Sequence, residues 1–206
     1  MKLPTPPLIL VYNGIFPDET PIISIFQDIG KINGVSTSLS HNISAICIGT
    51  TLINNLKLNE LRALIAHELA HIKHYHSLKQ IFVSITTPII LDSIIPNKPS
   101  HFSNPQYKSK EQIKSIIKKI MISYFSRIFE KQADLTSIRK TQNPQELIDA
   151  LNKIYEIMRK KHKYVCWVDK EIFEKFLWFI SSHPTLEKRI EYLSKEIKQA
   201  DNKSIK

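Results

Sequence analysis

Cysteine is scarce in this chain. Two residues, Cys47 and Cys166, stand among 206 and lack CxxC spacing, which excludes a disulfide framework. They read as buried free thiols in a reducing compartment. Arginine is scarce too, 5 against 24 lysines. Guanidinium reads phosphates and bases better than ammonium does, and the lysines are dispersed. The net charge of +10 therefore reads as a solvated lysine-rich surface, and no specific nucleic acid is expected as partner. There is also no apolar run of about 20 residues, the length a transmembrane helix needs. The most apolar stretch, 81–95 (IFVSITTPIILDSII), has Pro88 and Asp92 inside it. It reads as a buried helix or helical hairpin, with a membrane-dipping segment and peripheral membrane contact left open. The proline-broken start lacks the features of a signal peptide, so a cytoplasmic location is expected. With no repeat and no linker, a single domain over 1–206 is expected. The oligomeric state is not legible.

The chain that remains is mostly helical, with a small sheet. Residues 8–16 read as a strand with a turn at Asn13-Gly14, and 43–48 (ISAICI) as a β-branched strand ending at Gly49. Residues 21–30 could open a helix, and the Gly/Ser/Asn-rich 31–42 reads as a connection. Asn59 can cap a helix running to about Ser77. Residues 96–109 read as a polar loop. An S-x-x-Q box at Ser109 opens a helix to about Arg139, with Ile113, Ile116, Ile117, Ile120, Met121, Tyr124 and Ile128 as its apolar stripe. Asn143-Pro144 begins another helix, to about Lys161. Asp169 could cap one ending near Ile180, where Trp167, Phe173, Phe176, Trp178 and Phe179 read as packing core. Pro184-Thr185 begins the last helix, and 200–206 reads as a frayed tail.

One five-residue run carries chemistry. His67-Glu68-Leu69-Ala70-His71 is an H-E-x-x-H inside a helical pattern. Positions i and i+4 share a helix face, so both imidazoles can reach one Zn2+ ion with Glu68 beside it as general base. A catalytic zinc takes a third protein ligand and keeps one position open. Glu130 on the long helix can be that ligand. Asp134, four residues on and on the same face, can bond the free ring nitrogen of a zinc histidine. His74 and His76, just beyond the motif, read as surface residues.

The run Ser126-Arg127-Ile128-Phe129-Glu130-Lys131-Gln132-Ala133-Asp134 resembles the S-R-x-x-E-x-x-A-D helix of the HtpX and CAAX-prenyl-endopeptidase family. Ser182-His183-Pro184-Thr185-Leu186-Glu187-Lys188-Arg189-Ile190 resembles that family's H-P-x-x-x-x-R-I segment, and Asn42 to Ile46 resembles, more weakly, the edge strand before HExxH. The motifs fall in family order over about residues 40–195. The resemblance implies an α+β, mostly helical zincin-like fold of the gluzincin type, with the sheet packed on the HExxH helix. It implies a metalloendopeptidase holding one zinc per chain through His67, His71 and Glu130, with a protein or peptide as substrate. Glu68 would be the general base and His183 an oxyanion donor, with Asp134, Arg189 and Arg127 orienting the site. The chain departs from membrane-embedded members in lacking their clear spans, and looks more like soluble, minimal ones. Strand 43–48 could bind substrate backbone by β-augmentation. Two rival readings remain. One is a DNA-associated HExxH protease, whose third ligand would usually be histidine. The other is a zinc-stabilised, latent or chaperone-like binding module.

Overall fold

The computed structural model describes residues 3, 5–12, 34–40, 42–96, 105–162 and 184–204. The expected helices at 21–30 and 169–180, the five aromatic residues around the latter, and His183 lie outside the described residues.

Among the described residues three strands form one sheet in the order β1-β3-β2: β1 (Leu8–Tyr12), β2 (Gly34–Ser40) and β3 (Ile43–Gly49). β1 runs parallel to β3 and β2 antiparallel to it. β3 is thus the central strand, paired on both sides. The expectation that it offers a free edge to substrate is overturned, because its backbone groups are already used in two ladders. β2 occupies most of the stretch expected to be a connection. Its residues alternate, but in reverse: Val35 and Leu39 face outward, while Gly34, Ser36 and the buried Ser38 face inward. Small inward residues let the strand approach the helix beneath it, and that same composition makes the segment read as a loop.

Among the described residues six helices follow: α1 (Thr50–Asn55), α2 (Leu58–Lys73), α3 (His76–Ile94), α4 (Pro105–Thr141), α5 (Pro144–His162) and α6 (Leu186–Ser204). α2 lies at the centre. Ile46, Ile48, Leu52, Leu64 and Ile72 join it to the sheet and α1. Ala63, Ile138, Leu147, Ile148, Leu151 and Leu193 join it to α4, α5 and α6. Fully burying each large aliphatic side chain of these clusters stabilises by about 1.5–3 kcal/mol.

Several boundaries differ from the sequence reading. α2 starts at Leu58, because Glu60 rather than Asn59 satisfies its first turn: the Lys57 N–H donates to Glu60 Oε2 at 2.7 Å. It ends at Lys73, where Tyr75 enters the left-handed region (φ 55°, ψ 38°) and redirects the chain. α4 begins at Pro105, so 105–109 of the expected loop are helical; proline at the first helical position forfeits no hydrogen bond. α6 runs to Ser204, so most of the expected frayed tail is helix.

The apolar stretch 81–95 is helical as far as Ile94, inside α3, but largely not buried. Ile81, Phe82, Ile85, Ile89, Ile90 and Ile94 are exposed, as are Ile113, Ile116, Ile120, Met121, Tyr124 and Ile128 of α4. The seam between these helices is partly polar instead: the buried Lys114 Nζ donates to Asp92 Oδ1 at 2.6 Å and to Glu111 Oε1 at 3.1 Å. The C-terminal half of α4 meets α2 through a different face, the buried Glu130, Ala133, Asp134, Ser137 and Ile138, and the expected stripe stays uncovered even there. Among the described residues, no helix is long and apolar enough to cross a membrane.

Candidate metal centre

The helical repeat of α2 places His67, Glu68 and His71 on the side that meets α4 and β2, with His67 and Glu68 buried. α4 crosses at the buried Glu130 and Asp134, one turn apart on its inner face. Three donors converge. His67 Nε2 and His71 Nε2 are 3.1 Å apart. Glu130 Oε2 lies 3.5 Å from the first, and Glu130 Oε1 3.4 Å from the second. Metal–ligand bonds of about 2.0–2.2 Å in tetrahedral geometry separate neighbouring donor atoms by about 3.3–3.6 Å. The distance between the two imidazole nitrogens, and the distance from each to its nearer Glu130 oxygen, fall close to that, so the donor set fits a metal cation with one position left over. Among the described residues, His67, His71 and Glu130 form the one group of this kind.

Asp134 is the hub behind this triangle. Fully buried, it lies 2.8 Å from His67 Nδ1 through Oδ1. It accepts from Arg189 Nε at 2.8 Å and Arg189 Nη2 at 2.5 Å, and from the Tyr192 hydroxyl. Arg189 Nη1 is also 3.6 Å from Glu130 Oε2. Burial opposes ionisation of Asp134, but Arg189 and His67 outweigh it and hold the carboxyl down at about 2. Burial also opposes a charge on His67. Asp134 and Glu130 overcome it and raise the imidazole to about 10. Arg189 is pushed above its ordinary value against burial, chiefly by Asp134. Burial and Asp134 likewise raise Tyr192.

Glu68 sits beside the triangle under β2. Gly34 approaches so closely that a Cβ there would lie 3.3 Å from Glu68 Oε1. Arg127 is half-buried one turn before Glu130, and its expected orienting part rests on the motif alone. The structure thus brings together His67, Glu68, His71, Glu130, Asp134 and Arg189.

Sequence reasoning missed two residues. Tyr192 lies one turn after Arg189 on a helix whose pattern otherwise reads as packing. His76, expected at the surface, is buried against His71, with Nδ1 atoms 2.9 Å apart. Burial pushes it down to about 4, so its ring is neutral. The signal available was spacing: five residues beyond His71 across a turn, facing Gln132 two residues beyond Glu130.

Known proteins share this arrangement of sequence. The chain is 27% identical over 189 residues to Protease HtpX of Mannheimia succiniciproducens, covering 84% of this chain and 66% of that protein. It is 26% identical over 200 residues to the Protease HtpX homolog of Streptococcus equi subsp. equi, again with 66% of the relative covered. The chain therefore spans about two thirds of the length of these relatives. Among solved structures, Ste24p of S. mikatae superposes with a TM-score of 0.54 at 24% identity, over 78% of this chain and 41% of that one. That likeness supports the mostly helical fold with its small sheet. The family model of peptidase family M48 matches residues 13–197, in agreement with the resemblance carried by the three motifs, and the chain belongs to peptidase family M48.

Proposed function

We propose that this chain is a zinc-dependent metalloendopeptidase of the gluzincin type, in which His67, His71 and Glu130 hold one zinc ion and Glu68 is the general base. The observation that carries the reading is the convergence of two Nε2 atoms and one carboxylate at tetrahedral edge distances, with a buried carboxylate alongside. The HtpX names of the relatives and the M48 match support proteolysis. Bound zinc would supply a Lewis acid that polarises a carbonyl and lets water lose a proton near neutral pH.

The protein's own groups do the rest. Glu68 takes the proton from the attacking water and passes it to the leaving amine. Asp134 keeps the hydrogen of His67 on Nδ1, leaving Nε2 as the donor atom. Arg189 and Tyr192 hold Asp134, while Arg127 and Arg189 orient the motif helices. His183 donates to the oxyanion that forms on the attacked carbonyl. A protein or peptide segment would lie along β2, the sheet edge next to Glu68, by backbone pairing.

The test pairs a zinc assay with casein cleavage. The wild type is expected to hold about one zinc per chain and to cleave casein. Glu68→Gln is expected to keep the zinc and lose about 100-fold or more of the activity. A fully active Glu68→Gln would sink the proposal.

A further inference from the structure

His76 has no part in the reaction just described, yet it is buried at the start of α3. The left-handed turn at Tyr75 folds it back over His71. Its ring stacks on Phe129 of α4, with centroids 4.8 Å apart and planes 14° apart. Its Nδ1 meets His71 Nδ1 at 2.9 Å, and its Nε2 meets Gln132 Oε1 at 3.0 Å. The Gln132 amide nitrogen continues to His74 Nδ1 at 3.3 Å, and His74 Nε2 reaches Thr136 Oγ1 at 3.0 Å.

With the Gln132 amide oriented as it stands, its oxygen toward His76 and its nitrogen toward His74, this chain of contacts has one consistent hydrogen assignment. Two ring nitrogens at hydrogen-bond distance share a single hydrogen, so one ring donates and the other accepts. Gln132 Oε1 only accepts, so His76 Nε2 carries the hydrogen that meets it. In a neutral ring the other nitrogen, Nδ1, then holds a lone pair. His71 Nδ1 must donate to that lone pair. His71 Nε2 is left bare, and it is the atom that faces His67 Nε2 and Glu130. The reverse assignment would place a hydrogen on His71 Nε2 and block it as a ligand. His76 is not a ligand itself, because its contact is with the nitrogen of His71 that faces away from the triangle.

We propose that His76, anchored by Gln132, is a positioning residue that locks His71 in the Nδ1–H tautomer, as Asp134 does for His67. The inference rests on the reading that His71 holds zinc. The two histidines of the motif are then prepared by different means, one by a charged carboxylate and the other by a neutral imidazole relay.

Zinc affinity, measured by competition with a chromogenic chelator on the full chain, tests the proposal. His76→Phe keeps the stacking on Phe129 and removes the acceptor. It is expected to weaken zinc binding about 10–100-fold. His76→Asn packs worse but can place an amide oxygen near the lost Nδ1, and it is expected to recover most of the affinity. A purely structural role predicts the opposite order. Wild-type affinity in His76→Phe, or no recovery in His76→Asn, would overturn the proposal. Nitrogen-15 NMR of the zinc-free wild type adds a readout that needs no variant: His76 is expected as the Nε2–H tautomer and His71 with hydrogen on Nδ1. A His76 carrying its hydrogen on Nδ1 overturns the proposal. His71→Ala separates the two levels. If it leaves zinc affinity unchanged, the metal reading fails and this inference with it. If it abolishes binding while His76→Phe does not weaken it, this inference alone fails.

Discussion

Arg189 of α6 grips Asp134 of α4 with two side-by-side hydrogen bonds, Nε to Oδ2 at 2.8 Å and Nη2 to Oδ1 at 2.5 Å, with both side chains buried. The pair closes α6 onto the helix that carries Glu130. It also fixes the carboxylate that faces His67. A planar, two-pronged donor is needed for this, and lysine does not supply one.

Removing one partner should therefore cost more than removing both. Arg189→Met leaves the buried carboxylates Asp134 and Glu130 short of one cation and is expected to destabilise the fold by about 3–5 kcal/mol. The double variant Arg189→Met, Asp134→Leu should be less destabilised than the sum of its singles. Denaturant unfolding of the four chains, read as a cycle, checks this. Additive losses would show that the pair does not act as a unit.

The same carboxylate sets a pH dependence. Asp134 titrates at about 2 when folded, below its ordinary value of 3.8. The unfolded chain binds the proton more tightly, so the stabilisation is present above pH 3.8 and is lost as pH falls toward 2. A shift of this size corresponds to about 2 kcal/mol. Urea unfolding of the zinc-free protein between pH 5 and 2 should show that loss, and Asp134→Asn should show a flatter slope. Equal slopes would assign the acid sensitivity to other groups.

Gly34 leaves room for Glu68. A Cβ would sit 3.3 Å from Oε1, which is the end of a side chain that can give way. Gly34→Ala is therefore expected to be mild. Gly34→Val adds two methyl groups to the same space and, with Glu68 as the proposed base, is expected to lower kcat about 10–100-fold by displacing it. Zinc content should not change. Parallel zinc assays and casein kinetics separate this from loss of metal, and a Gly34→Val enzyme with wild-type kcat would refute it.

Much of the site was legible because its spacing follows the helix. His67 and His71, and Glu130 and Asp134, are i and i+4 pairs, and a helix alone puts each pair on one face. What escaped depended on packing between elements. β2 was unreadable because its small residues face the helix and its apolar ones face out. The exposure of α3 and of the α4 stripe was unreadable because periodicity shows that a helix is amphipathic, not which side is covered. His76 was missed because its burial depends on one left-handed residue, Tyr75, and nothing in the residue type announces that turn.

Glu130 offers the sharpest check on the donor triangle. Glu130→Gln keeps the size of the side chain and removes the charge that favours a cation. Anything that binds only the folded state stabilises it by mass action, by about 2.7 kcal/mol at 100 times its Kd. Zinc at that excess should raise the unfolding free energy of the wild type by about this amount. At the same zinc concentration the Glu130→Gln chain should gain little, since losing one of three ligands weakens affinity steeply. The comparison is made between each chain with and without zinc, so any intrinsic cost of the substitution cancels. Equal zinc stabilisation of both chains would remove Glu130 from the metal site and leave the two histidines without their third ligand.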